Sequence, residues 1–427
     1  MSMGDRLHIS HQFWPGQIAR GLFTGLLTGL AISLYAEVIF LVTDVNKMNP
    51  WLIIAIPFGA VLTQYLFKFF GERYRTSTAS AIDDINHHKD AHKNWAQGQV
   101  PDNITPQMGI LAFLGATITH ICGASGGKEG AGVQIGLACS SVVEKCEARI
   151  NHMLSREHDN RSDYYLMCGA AAAFSALFDA PIAGVLFGTQ LASPKATRLD
   201  AYLPCITASF SAWVVADLLH CHVLEIPMFG PLDLTYSNLA IVVVFAVLTG
   251  LYSRLFCFVL HTIRDFFRKR LRNTYWVVAW PALLLLLFSF ITFPIFDTFR
   301  YNGLGGDLLY DIIIGRATQL DDLIKLVMVA LTFAAGFVGG EVVPLMIVGA
   351  GFGMSMSYLF DMPLSPFAVL GSVGMLSGGT NLPLVCFALG MELYGYKEPT
   401  MLFLMVTVSF LASGRSGIYA HQKLPYR

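Results

Sequence analysis

Two short stretches place ionisable residues in otherwise apolar surroundings. The first, "GASGGKEGAGVQIG" (Gly123–Gly136), sets Lys128 and Glu129 inside a glycine-rich segment. The second, "GGEVVPLMIVG", begins at Gly339 and puts Glu341 directly behind a Gly-Gly pair. In both, the sequence that follows continues as an apolar helix. The first amides of a helix have no partner within it and point outward. With the helix dipole they make an anion site that needs no full positive charge. Glycine lets an ion approach the backbone closely. A carboxylate tethered at such a spot is itself an anion. Ionised, Glu129 would occupy the site and block it; protonated, it would let go, so one residue would couple proton binding to anion passage. The plainer reading is that Glu129 only caps the helix or pairs with Lys128. In a membrane, however, an ionisable residue is a functional candidate by default. Two carboxylates sharing a low-dielectric site do not both stay ionised. A nucleotide-binding P-loop is excluded, because Cys122 stands where its first glycine would be and Glu129 replaces its Ser or Thr.

The elements that would carry these loops follow from composition. Of the 427 residues 54% are apolar and 13% charged, with a net charge of −1. Mean hydropathy is +0.55. That is an integral membrane protein, and nothing basic enough for nucleic acid. Uncharged runs long enough to approach a bilayer span are Trp51–Phe67, Ile104–Gly127, Leu234–Ser253, Tyr275–Phe296, Val342–Phe360 and Met362–Met391, and an apolar stretch Gly21–Val42 precedes them. Met362–Met391 is interrupted by "SGG" and Pro383. Gly21–Val42 reads as a retained first helix rather than a signal peptide. Shorter runs, Ala131–Val143, Ala180–Ser193 and Leu326–Gly340, imply broken helices, tolerated at membrane depth only where buried or lining a cavity. The pattern predicts an all-α polytopic bundle of short, tilted and broken helices, as in a transporter or channel rather than a receptor. Three polar segments, Gly71–Asn103, Glu144–Asp163 and Arg264–Arg272, read as lying outside the membrane. The basic third is assigned to the cytoplasm. "HHKDAHK" (His87–Lys93) is read as a solvated loop, and the eight cysteines, none in a CxxC pair, as buried free thiols.

The halves of the chain echo each other. "GGKEGAGVQIG" and "GGEVVPLMIVG" stand 213 residues apart, and "GAAAAFSALFDAPIAGVLFGTQL" and "GSVGMLSGGTNLPLVCFALGMEL" stand 202 apart with Pro181 matching Pro383. The longer polar loop of the first half accounts for the difference in offset. Repeat transporters keep their sites at the repeat interface, where discontinuous helices aim their N-termini at the substrate. The expected divisions are a cytoplasmic N-terminal segment (1–16), a first membrane repeat (17–222), an inter-repeat loop (223–235) and a second membrane repeat (236–427).

These motifs carry a resemblance. "GGKEGAGVQIG" resembles G-[KR]-E-G-P-x-V-Q-x-G of the CLC chloride channel and antiporter family, and "FDAPIAGVLF" resembles its F-N-A-P-x-A-G-x-x-F. "SGRSGIYAHQ" is similar to the element that supplies a pore tyrosine, here Tyr419. The resemblance runs from about Gly21 to the C-terminus. It implies a CLC-type inverted-repeat bundle and a homodimer with one pathway per subunit. "GGE" at Gly339–Glu341 resembles the fluoride branch, the CLC-F fluoride/proton antiporters, in which this glutamate lies by the central anion site. The glutamate pair of chloride/proton exchangers falls here on Gln190 and Leu191, which also fits the fluoride branch. In place of the Gly-Ser-Gly-Ile-Pro of chloride-type members stands "RTSTASAIDDI" (Arg75–Ile85), which aligns Thr78 and Ala79 with the first pore segment. Fluoride members tend to have Thr where Val343 stands, and Ala131 replaces a family Pro or Thr.

The implied function is a fluoride/proton antiporter, not an enzyme, exporting fluoride across a bacterial inner membrane without cofactor or metal. Glu129 is the expected gate and Glu341 the central proton- and anion-binding carboxylate. Tyr419, Gly127, Lys128, Gly130, Gly340, Val342, Val343, Thr78 and Ala79 are the expected pore lining. The partners are fluoride (chloride in the alternative), protons and the bilayer. The alternative is a chloride/proton antiporter or a passive anion channel of the same family. An intramembrane enzyme is disfavoured: no HExxH is present and Cys221–His222 is the nearest His/Cys cluster. Glu392 is expected to be a structural partner near a helix end. Glu37 is expected at a helix turn facing the interior or the headgroups.

Overall fold

The computed structural model describes residues 3–72, 78, 82, 86, 104–154, 162–194, 199–221, 226, 230–296, 298–395, 397–419 and 422. Ala79, His87–Lys93 and His222 lie outside the described residues. Fifteen α-helices and no β-strand occur among the described residues. They are α1 (Met3–Met48), α2 (Ile56–Phe70), α3 (Pro106–Ile121), α4 (Glu129–Met153), α5 (Ser162–Phe178), α6 (Pro181–Gln190) and α7 (Tyr202–Leu218). The second half supplies α8 (Tyr236–Arg270), α9 (Thr274–Phe296), α10 (Gly306–Ile313), α11 (Asp321–Ala334), α12 (Val342–Phe360), α13 (Leu364–Thr380), α14 (Pro383–Glu392) and α15 (Pro399–Ser413). Six helical segments among the described residues are long and apolar enough to span a bilayer, the first being Pro15–Met48.

The repeat shows in matching elements and matching contacts. α4 packs on α5 as α12 packs on α13, and α1 packs on α7 as α8 packs on α15. The α4–α5 crossing is at Gly136 and Gly169, where a Cβ on either would strike the other's carbonyl; Gly349 and Gly371 do the same at the α12–α13 crossing. Small residues let helix backbones meet closely in lipid, where no hydrophobic force separates helix from solvent. α5 and α13 end in the same way. Asp179 (φ 54°) and Asn381 (φ 60°), 202 residues apart, each take the left-handed conformation that Asp and Asn tolerate best among non-glycine residues. Pro181 and Pro383 then open α6 and α14, ten residues each, where a missing N–H costs nothing. α6 and α14 pack against each other across the repeat boundary. The Glu392 carboxylate, at the end of α14, accepts from the amides of Ile182 and Ala183, both at 2.8 Å, and so ties the two short helices together.

Several boundaries depart from the sequence reading. α1 starts at Met3 and ends at Met48, well outside Gly21–Val42, so the N-terminal segment is helical from Met3 onward. Glu144–Met153 is not a loop but the last turns of α4, and Arg264–Arg270 ends α8, its basic residues facing the negative pole of the helix dipole. A polar helix needs no break where it leaves the bilayer. In Met362–Met391 "SGG" stays helical and the break falls at Asn381–Leu382, because the proline ring clashes with the preceding backbone and Asn381 supplies a left-handed cap. All eight cysteines are free, but only five are buried: Cys146 is exposed on the polar end of α4, and Cys139 and Cys221 are half-buried. Glu37 is on the exposed side of α1.

Candidate functional site

The two glycine loops meet directly. Gly127 N donates to Gly340 O at 2.9 Å and Gly340 N donates to Gly127 O at 2.8 Å, an antiparallel bridge between the repeats. Only glycine permits this approach. A Cβ on Gly340 would lie 2.5 Å from the Gly130 nitrogen, and one on Gly130 would collide with the Gly339 carbonyl. The bridge sets the start of α4 beside the start of α12, so both helix N-termini converge on one spot.

That spot is a small cavity of ≈ 10 Å³ lined by Thr78, Glu129, Gly130, Val133, Phe174, Phe187, Gly340, Glu341, Val342 and Tyr419. The space is about that of one water-sized particle. Glu129 is the first residue of α4 and 3% exposed. Its Oε2 is buried with no hydrogen-bond partner among the described residues. The peptide groups of Lys128 and Val343 face its carboxyl. Glu341 is the half-buried N-cap of α12, and the charged groups facing it are Arg264 and Glu129. Tyr419 is 8% exposed and reaches the cavity from the C-terminal segment. That segment is held by Ile418 N on Gly379 O at 2.8 Å and by Asn381 Nδ2 on Ser416 O at 3.1 Å. The left-handed cap of α13 thus also anchors the tyrosine loop.

Of the residues expected at the pore, Glu129, Glu341, Thr78, Gly130, Gly340, Val342 and Tyr419 share the cavity. Gly127, Lys128 and Val343 do not line it. Gly127 is used up in the bridge. Lys128 is the half-buried N-cap of α4, with the charges of Glu129 and Glu37 near its ammonium group. Val343 is buried in the first turn of α12. Gln190 is buried at the end of α6 and is not part of the cavity wall. Three wall residues were missed from sequence. Phe174 and Phe187 stack at 4.3 Å between ring centroids, and Val133 lies one turn beyond Glu129. Both rings fall within "FSALFDAPIAGVLF", so the signal was present, but apolar residues in an apolar chain read as core. Arg264 was assigned to a solvated segment, and only the length of α8 brings its charge toward Glu341.

Short helices broken at the repeat interface, with their N-termini aimed at an ion-sized space, define the class of repeat-built membrane proteins. A family model described as voltage gated chloride channel matches residues 59–416, and the chain belongs to that family. It is 28% identical over 408 residues, 93% of this chain and 84% of the other, to a protein of Pseudomonas syringae pv. tomato named chloride/fluoride channel protein. It is 23% identical over 404 residues, 87% of this chain and 80% of the other, to a Vibrio cholerae protein named H(+)/Cl(-) exchange transporter ClcA. Among solved structures, a CLC-type fluoride/proton antiporter superposes with a TM-score of 0.85 at 24% identity, covering 97% of this chain and 99% of that one. A slow cyanobacterial Cl-/H+ antiporter gives 0.74 at 15%, covering 93% and 94%. The fold is therefore the CLC-type inverted-repeat membrane bundle.

Proposed function

We propose that the protein is a fluoride/proton antiporter that exports fluoride across a bacterial inner membrane as a homodimer. The observation that carries this reading is the pair of carboxylates, Glu129 and Glu341, on one ion-sized cavity between two helix N-termini. The helix ends favour an anion there. Ionised Glu129 competes for that position; protonated, it yields it. Glu341 supplies what a small, strongly hydrated and hard acceptor such as fluoride needs, a strong donor at the moment it sheds water. Hydrogen bonds that involve a charged group contribute about 1.5–3 kcal/mol. That corresponds to roughly a tenfold to hundredfold preference at about 1.4 kcal/mol per factor of ten. Chloride, a weaker acceptor, gains less. Tyr419 and Thr78 offer hydroxyls to the same space. The relatives named for fluoride and for anion/proton exchange support this reading, as does Gln190 in the place of the exchanger glutamate.

The test is flux in proteoliposomes loaded with fluoride or chloride, followed by an ion electrode and a pH dye. Fluoride efflux that drives proton uptake, with chloride left behind, is the expected result. Movement of chloride as readily as fluoride would replace this reading with a chloride/proton antiporter, and anion movement without protons with a channel.

A further inference from the structure

Beside the glycine bridge lie two buried threonines that the cavity does not use. Thr119, on α3, and Thr332, on α11, are both 0% exposed and stand 213 residues apart. Thr119 Oγ1 lies 2.8 Å from Val338 O and 2.9 Å from Gly115 O, its single proton between the two carbonyls. Thr332 Oγ1 donates to Met328 O at 2.8 Å and accepts from Ser125 N at 3.0 Å. Val338 lies 213 residues after Ser125, and Met328 the same distance after Gly115. The two contacts are therefore equivalents in the repeat, differing only in whether the partner's carbonyl or its amide is held. Each threonine grips the loop of the opposite repeat, two residues before that loop's bridging glycine. Gly115 makes room for this, since a Cβ there would lie 2.6 Å from Val338 Cγ2.

We propose that Thr119 and Thr332 are positioning residues that lock the two carboxylate loops into one unit, so that the state of one carboxylate is felt by the other. This rests on the antiport reading. The geometry supports it in three ways. The threonines reach across the repeat rather than along their own loops. They bracket the bridge from both sides. The unit is also moored outside the bridge: Ser125 Oγ donates to Tyr301 O at 2.7 Å, and the fully buried Lys325 Nζ donates to the same oxygen at 3.0 Å. A loop held at the bridge alone could shift by one hydrogen bond and leave the carboxylates independent. With both threonines in place, displacement of Glu129 from the cavity strains the Glu341 loop as well.

The experiment is simultaneous fluoride and proton flux for Thr119→Val and Thr332→Val, which keep shape and remove the hydroxyl, alongside Thr119→Ser and Thr332→Ser. Each valine variant should raise proton-independent fluoride movement about tenfold, the equivalent of one lost hydrogen bond. The serine variants should restore the wild-type proton-to-fluoride ratio. The double valine variant should leak less than the product of the single effects, because both contacts hold the same bridge. A wild-type ratio in either valine variant, or serine variants as leaky as valine, overturns the proposal. A second measurement needs no substitution. Amide exchange in the wild-type protein should protect the two matched bridge amides, Gly127 N and Gly340 N, equally, as one opening unit. Protection differing by more than about tenfold between these two amides overturns the proposal. Because exchange does not depend on transport, a wild type that fails to couple protons sinks the antiport reading while the exchange result still judges the brace.

Discussion

The loop before α4 and the loop before α12 share a backbone plan but not a charge plan. Counting from the bridging glycines, the N-cap of α4 is Lys128 (φ −92°, ψ −13°) and the N-cap of α12 is Glu341 (φ −88°, ψ −9°). The equivalent of Glu129 is Val342. One repeat therefore carries a cation at the cap and a carboxylate one residue later; the other carries a carboxylate at the cap and an apolar residue later. At the start of α12 both the cap, Glu341, and the first helical residue, Val342, line the cavity; at the start of α4 Glu129 lines it and the cap, Lys128, does not. The first loop is also the more heavily tied. Asn46 donates to Ile121 O at 2.9 Å, Asn302 donates to Gly123 O at 2.8 Å, and Ser125 donates to Tyr301 O at 2.7 Å. What the difference teaches is that the repeat supplies two helix N-termini at one ion-sized cavity, while substitution at single positions decides where at each helix start the carboxylate stands.

Replacing the carboxylates breaks the comparison most directly. Glu341→Ala is expected to abolish fluoride transport and proton coupling together, with the protein still eluting as one folded species; efflux of fluoride and then chloride from proteoliposomes reads it. Fluoride that still moves with protons would make Glu341 a structural cap. Glu129→Gln, which mimics the protonated side chain, should abolish coupled proton movement while anion movement only slows. Persistence of proton-driven exchange in that variant would remove Glu129 from the gate. The glycine bridge comes next. Gly340→Ala sets a methyl 2.5 Å from the Gly130 nitrogen. It should cost about 1–3 kcal/mol of stability, as other overpacking does, and lower transport with it. A thermal melt unchanged from wild type would mean that the loops separate at no cost. The smallest effect is expected from Tyr419→Phe. It keeps the ring and removes one donor of about 0.5–1.5 kcal/mol, so anion affinity should fall by roughly two- to tenfold. Unchanged affinity in an equilibrium binding measurement would leave Tyr419 as packing.

Much of the site was legible because it is built from residues that are out of place. A Glu close behind Gly-Gly stands out in an apolar chain, and one follows each of the two Gly-Gly pairs that stand 213 residues apart. Pro181 and Pro383 mark the starts of α6 and α14 without help from packing, since a proline ring acts on its own neighbours. Phe174, Phe187 and Val133 carry no such mark. They have the composition of core residues, and only the crossing of α4, α5 and α6 turns them toward an ion-sized space. The extents of α1, α4 and α8 were misjudged for a related reason: a helix that leaves the bilayer keeps its backbone bonds, so a change in polarity marks the interface and not the end of the helix.

By itself, then, the sequence determined the membrane class, the twofold repeat, the broken helices and the two carboxylates, because local chemistry and hydropathy depend on nearest neighbours. It could pair Gly127 with Gly340 by offset but could not say that they hydrogen-bond. That pairing depends on helices 213 residues apart in the chain being carried to a common point by the packing of α4 on α5 and of α12 on α13. The tertiary structure alone decided that Glu129 is buried and Glu341 half-buried on the same cavity, that Lys128 stays out of it, and that Thr119 and Thr332 reach across to the opposite loop. Each of these is a matter of which way a side chain faces once two helices have been brought together, and no run of residues along one helix encodes the position of the other.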